Sequence, residues 1–237
     1  MKSYKFLAAI TAAAMISTIT PTMIFAQEQE EKSENSSQTS DEYSFYETKS
    51  GLSVTVSNNE KEDLPTVAVL ATGGTIAGSG TAGKATNYTA GQLDVGTLVD
   101  SAAGVTDIAN VRGIQVCNVG SDDITDENWI TLANTINELA QDENIDGFVI
   151  THGTDTLDES SYFLNLTVKT DKPVVMTGAM RPSTATSADG PMNLYKSIAL
   201  AANEQAKGKG VIGSILCMAF TGDVMFKKIS HLSDRCF

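Results

Sequence analysis

From Leu64-Pro65 onward, short apolar runs alternate with longer amphipathic stretches. Thr66–Ala71 (TVAVLA) is a β-branched apolar run that ends in Thr72-Gly73-Gly74-Thr75, the pattern of a buried strand entering a tight turn. Residues 76–90, rich in Gly, Ala, Thr and Ser, read as a mobile loop, and Gln92–Ala102 as a helix. Ile114–Val119 follows as a strand. Thr125 is placed to cap a helix running to about Asp142, with Trp129, Leu132, Ile136 and Leu139 on one face. Asp146–Ile150 is a further strand, after which Thr156-Leu157-Asp158-Glu159 has the form of a capping box opening a helix to about Val168. Pro173–Thr177 reads as a strand, Pro191 as the first turn of a helix through about Gln205, and Val211–Cys217 as a last apolar run. Parallel strands need crossovers, so this alternation predicts an α/β fold: a parallel sheet with helices on both faces. No internal repeat is evident.

The region before Leu64 has a different character. Residues 1–26 carry Lys2 and Lys5, an apolar stretch from Phe6 to Ile19, and Ile24-Phe25-Ala26 before Gln27, the three parts of a secretory signal. The apolar stretch is interrupted by Thr11, Ser17, Thr18, Thr20 and Pro21, and falls short of the ~20 residues of a membrane span. Export with cleavage, to the periplasm or outside the cell, is the expectation, with no membrane attachment afterwards. Residues 27–45 are polar, acidic and serine-rich, as in a disordered leader, and Leu52–Val56 reads as one isolated strand. The expected organisation is therefore signal 1–26, leader 27–63 and one globular domain 64–237.

Charge follows the same division. The chain of 237 residues has net charge -13, and residues 27–63 alone carry 10 acids against 3 bases. That balance argues against nucleic acid or an anionic membrane as partner, and says nothing of substrate. Cys117, Cys217 and Cys236 show no metal-ligand spacing, and the first two sit in strand-like runs, as buried free thiols do. No metal site is expected.

Three strand ends carry small polar clusters, where open parallel sheets place their ligands. They are Thr72–Thr75, Gly120-Ser121-Asp122-Asp123 and Thr151-His152-Gly153-Thr154-Asp155. The first is a poor nucleotide loop, because no Gly-Lys-[Ser/Thr] follows and Gly-x-Gly-x-x-Gly is absent there; Gly78-Ser79-Gly80 is a linker signal only. His152 is a tempting general base because histidine as a type titrates near neutrality, yet with no Gly-x-Ser-x-Gly elbow to serve it reads as a structural hydrogen-bonder. Asp122, Asp123 and Asp155 could be a paired acid/base system, a metal site or caps, with N-terminal capping the simplest account of Asp155. Met176, Met180 and Met192 read as core or loop packing.

Taken together the motifs are more specific. Ala71-Thr72-Gly73-Gly74-Thr75-Ile76-Ala77, Asn87-Tyr88-Thr89, Thr151–Thr156, Gly178-Ala179-Met180-Arg181-Pro182 and Ser187-Ala188-Asp189-Gly190-Pro191 resemble, in order, the signatures of bacterial type II L-asparaginases, of the asparaginase/glutaminase family. The resemblance runs from about Leu64 to Gly210. It implies a flavodoxin-like amino-terminal domain and hydrolysis of the side-chain amide of L-asparagine, and in some members L-glutamine, through an acyl-enzyme and without a cofactor. By position it implies Thr75 as nucleophile, Tyr88 as the lid tyrosine that helps activate it, and Thr154 as the second catalytic threonine. Ser121, Asp122 and Asp155 match residues that hold the substrate's α-amino and α-carboxylate groups, Asp155 also orienting the network; Lys228 is the best match for the catalytic lysine, with Lys227 second.

The family usually has glutamine where Asp122 stands, and after Gly210 the chain leaves the family pattern. The expectation is therefore a chain cut short or shifted in frame near its end, without the smaller carboxy-terminal domain that in relatives builds a homotetramer. A catalytically dead amino-acid-binding fragment is the alternative from a different class, and a flavodoxin-like nucleotide binder a weaker third.

Overall fold

The computed structural model describes residues 43–215 and 218–221. The signal, most of the leader, Cys217, Lys227, Lys228 and Cys236 lie outside those residues. Among the described residues, ten strands and four α-helices follow one another: β1 Tyr43–Glu47, β2 Ser53–Ser57, β3 Thr66–Gly73, β4 Ser79–Gly80, β5 Tyr88–Thr89, α1 Val95–Ser101, β6 Asn110–Val119, α2 Asp126–Leu139, β7 Gly147–Thr151, α3 Leu157–Thr167, β8 Val174–Thr177, α4 Gly190–Ala201, β9 Val211–Ile215 and β10 Met218–Thr221. Eight strands form one sheet in the order β1-β2-β6-β3-β7-β8-β9-β10, and β4 pairs with β5 as a separate ribbon.

The five central strands are parallel, as the alternation predicts, while the flanking pairs are antiparallel. Strand β3 is buried along its whole length, as a central parallel strand must be. Its side chains alternate between two cores. Val67, Val69 and Ala71 join Val149, Val175, Leu98, Leu194 and Ile198 on the face covered by α1 and α4. Ala68 and Leu70 join Phe148, Ile150, Met176, Leu132, Ile136 and Leu164 on the face covered by α2 and α3. The crossover leaving β3 therefore runs over one face, and those leaving its neighbours β6 and β7 run over the other. A crevice opens at the carboxy end of β3, where ligands bind in such sheets.

Several sequence expectations are corrected. The stretch before Leu64 is not all leader: Tyr43–Glu47 forms β1, and the apolar run expected to stand alone is β2, paired to both β1 and β6. Val54 is fully buried against the α2–α3 core, and the Lys49 N–H donates to both Glu138 carboxylate oxygens at 2.8 and 3.0 Å. Arg112 on β6 ties the following connection down through Glu60, with Nε–Oε1 3.0 Å and Nη2–Oε2 3.2 Å, and reaches Asp142 at 3.2 Å. The Glu60 hydrogen bonds raise the affinity of this guanidinium for its proton against the cost of burial. Burial of Val54 anchors β2, and the β1–β2 pairing extends the sheet upstream to residue 43.

Helix α1 is shorter than expected because Asp94 accepts from the Thr97 N–H and fixes its start, while Gln92 and Leu93 donate to the Ala77 carbonyl. The Thr125 cap forms, with Asn128 completing a capping box. That of Thr156 does not: its hydroxyl donates instead to the Ser121 carbonyl at 2.8 Å. Met176 is core, whereas Met180 and Met192 are both more than half exposed, against expectation.

Helix α2 offers a clean contrast. Ile136 is fully buried and Ile130 is 53% exposed. Ile136→Ala is expected to lower the unfolding free energy by about 2–5 kcal/mol in urea titrations, and Ile130→Ala to stay within about 0.5 kcal/mol of the parent.

Candidate active site

Three loops meet at the end of β3, and they meet through backbone. Gly73 and Gly74 both have positive φ, 109° and 75°, a conformation that side-chain-bearing residues rarely adopt. A Cβ on Gly74 would strike the backbone of Gly153, and one on Gly153 the side chain of Ser121. The Gly74 N–H donates to the Val119 carbonyl at 2.8 Å. With no side chain at either glycine, the loops after β3, β6 and β7 close to backbone contact around Thr75.

Thr75 opens a short 3-10 turn, half-buried, with its Oγ1 2.9 Å from the Tyr88 hydroxyl. Tyr88 lies on the β4–β5 ribbon. A Cβ on Gly78 would fall on the tyrosine ring, so this glycine makes the seat for it. The segment expected to be a mobile loop is held in place here by a clasp. The Gly78 carbonyl accepts from both the N–H and the hydroxyl of Ser183 (3.0 and 2.7 Å), and the Gly80 N–H donates to Thr184 Oγ1 at 3.1 Å. The Gly83 N–H donates to the Thr184 carbonyl at 2.7 Å, and the Thr186 hydroxyl to the Gly83 carbonyl at 3.1 Å. The clasp loop is braced by the buried Asp189 carboxylate, which accepts from the N–H groups of Met180 (3.0 Å) and Arg181 (2.9 Å) and from Asn193 Nδ2 (3.1 Å).

Across the crevice, buried Ser121 joins the loops after β6 and β7. Its Oγ accepts from the Asp155 N–H at 3.2 Å and lies 3.5 Å from Asp155 Oδ2. Asp155 precedes the cap position of α3, which Thr156 occupies, and its carboxylate is exposed; it is not the capping group. Thr154 is half-buried beside Gly153, and exposed Asp122 folds its carboxylate back over Gly120. The fold thus pairs Thr75 with Tyr88 and Ser121 with Asp155. Among the described residues, no three His, Cys, Asp or Glu side chains stand together to hold a metal.

The family model described as Asparaginase, N-terminal, matches residues 66–225. The chain belongs to this asparaginase family. Among curated relatives it is 52% identical over 162 residues to the probable periplasmic L-asparaginase of Haemophilus influenzae, covering 68% of this chain and 45% of that protein. It is 55% identical over 149 residues to L-asparaginase 2 of Escherichia coli, covering 63% and 42%. The solved structure of a probable cytoplasmic L-asparaginase from Campylobacter jejuni superimposes with a TM-score of 0.64 at 48% identity, covering 67% of this chain and 48% of that one. The chain spans somewhat less than half the length of the curated relatives it matches.

In this asparaginase-family domain, some of the residues behind the signatures were marked by sequence and others were not. His152 is fully buried, its Nδ1 2.7 Å from the Gly153 carbonyl and its Nε2 2.9 Å from Ser160 Oγ. It is a structural hydrogen-bonder, as the sequence reading has it. Cys117 is half-buried rather than fully so; burial pushes its thiol up to about 11, which keeps it protonated and unreactive at neutral pH. Ser183, Thr184 and Thr186 in the clasp carry no motif of their own, and only their run of hydroxyls between two signatures hints at a role.

Burial pushes the His152 pKa down, against a smaller opposing effect of its bond to Gly153. Its unfolded value is about 6.5, so the unfolded chain binds the extra proton first. The stability that a neutral His152 contributes is complete above that value and is lost as pH falls towards the folded pKa, at no more than about 1.4 kcal/mol per pH unit. Urea midpoints taken at about pH 7.5 and about pH 5.5 are expected to fall more steeply for the parent than for His152→Asn.

Proposed function

We propose that the chain is the amino-terminal catalytic part of an L-asparaginase, with Thr75 as nucleophile. The observation that carries this reading is the 2.9 Å contact between Thr75 Oγ1 and the Tyr88 hydroxyl at the crevice of the sheet. A threonine hydroxyl is a weak nucleophile, and it needs a partner to take its proton. Tyr88 stands where that partner would be.

In this reading the Thr75 oxygen attacks the side-chain amide carbon of asparagine. The proton leaves through Tyr88 and ends on the departing nitrogen, the C–N bond breaks and ammonia is released. Water then cleaves the ester, giving aspartate and the free hydroxyl. Backbone N–H groups around Gly74 and Gly153 receive the developing oxyanion, a role suited to close-packed glycine loops. Asp155 takes the α-ammonium and Ser121 the α-carboxylate; Asp122, a substrate-binding position by resemblance, adds a negative charge near the latter. Thr154 and Asp155 complete the network, and Lys228, assigned by resemblance, joins it from outside the described residues. Segment 76–90 closes over substrate and excludes water. Glutamine differs by one methylene, which a pocket resists by only about 1–3 kcal/mol, so mixed specificity belongs to the same proposal. Residues 1–26 support export, and a homotetramer is the assembly expected of the family.

The test is ammonia release from asparagine by the full chain. Thr75→Val is expected to reduce release to background, and Tyr88→Phe to slow it by about 10²–10⁴-fold. A folded parent that releases no more ammonia than Thr75→Val overturns the proposal in favour of an amino-acid-binding domain without turnover.

A further inference from the structure

The only tryptophan of the chain begins a line of hydrogen bonds that ends in the candidate site. Trp129 Nε1 lies 2.7 Å from Ser160 Oγ, Ser160 Oγ 2.9 Å from His152 Nε2, and His152 Nδ1 2.7 Å from the Gly153 carbonyl oxygen. The chemistry of the two ends fixes the direction. An indole N–H can only donate and a carbonyl can only accept. Ser160 and His152 are both fully buried, and the imidazole touches only neutral groups along this line, so it is held neutral. It then carries its proton on Nδ1 and accepts from the Ser160 hydroxyl on Nε2. The Trp129 ring is itself fixed, stacked on Phe163 with centroids 5.3 Å apart.

The last bond matters for the site because of where it leaves the next peptide group. No described peptide is cis, so the Thr154 N–H points opposite to the Gly153 carbonyl. The Gly153 carbonyl faces the imidazole, so the Thr154 N–H points away from it; Gly153 itself packs against Gly74, the residue before Thr75. No acceptor among the described residues engages that N–H.

We propose that His152 is a positioning residue: the line from Trp129 through Ser160 fixes the imidazole, and the imidazole sets the Gly153–Thr154 peptide so that the Thr154 N–H faces the crevice beside Thr75. The effect on turnover rests on the reading of the site as an asparaginase. The geometry of the line does not.

The experiment uses the full chain with 15N-labelled histidine in a His231→Gln background, which leaves His152 as its single imidazole. Long-range 1H–15N spectra at pH 7.5 are expected to show Nδ1 protonated and Nε2 bare; the opposite tautomer or a charged ring overturns the proposal. His152→Asn, which keeps a donor near the Gly153 carbonyl, is compared with His152→Leu, which does not. His152→Leu is expected to shift the backbone amide peak of Thr154 and to lower kcat by roughly ten- to a hundredfold, as a misaimed catalytic group does, with KM changing less than about threefold and His152→Asn recovering most of the loss. If His152→Leu does not fold, Ser160→Ala takes its place, frees one end of the ring, and is expected to move the same amide peak. A folded variant whose Thr154 amide peak stays at the parent position overturns the proposal. A parent that releases no ammonia overturns the asparaginase reading alone, because the imidazole and amide spectra still decide the line.

Discussion

Gly74 and Gly153 touch backbone to backbone at the ends of adjacent parallel strands, and neither position has space for a methyl group. This contact sets how closely three loops from β3, β6 and β7 can gather, and the rest of the site is built on that closeness. Thr75 follows one glycine and Thr154 the other, so the two threonines are carried on loops whose separation is fixed by main chain, the stiffest part of the molecule. The arrangement is rigid where the loops touch. It owes little to side-chain packing, which adjusts more readily than a pair of backbones in van der Waals contact.

Around this centre the protein uses two kinds of support. Buried neutral hydrogen bonds hold the inner side, where a charge would be expensive: His152 and Ser160 are fully buried and paired. On the outer side an ionised carboxylate, Asp189, gathers two backbone N–H groups and an amide to stiffen a loop that is otherwise irregular. A charge is tolerable there because each of its oxygens is met by a donor. The inner support orients a peptide; the outer one holds a tyrosine over a threonine.

Much of the fold was legible in the sequence because buried parallel strands leave a plain signature. Thr66–Ala71 can only be apolar and β-branched if both faces of the strand are covered. The first strand of the upstream hairpin was not legible, since Tyr43–Glu47 is largely exposed and its neighbours are acidic; it is a strand because β2, itself paired to β6, offers it an edge, a tertiary cause with no local trace. Thr156 has the local form of a capping residue, yet the carbonyl of Ser121, 35 residues away, takes its hydroxyl. At the site, the glycine-flanked threonines stood out through their types and spacing. The supports behind them did not. Trp129 and Ser160 are separated by 31 residues, and Gly78 and Ser183 by 105, so nothing in either local window announces the bond.

That last separation bears on the order in which the molecule comes together. The ribbon that carries Tyr88 belongs to the first crossover, but its clasp belongs to the fourth, after β8. Closing a span of about a hundred residues is slow compared with pairing neighbouring strands. A chain emerging from the ribosome amino end first would complete β3, β6 and β7, with both glycine loops in contact, while its tyrosine ribbon still had nothing to fasten to. The fastening of the Tyr88 ribbon therefore comes after the glycine loops have met, and a chain halted before Pro182 would carry Thr75 with its neighbouring ribbon still loose.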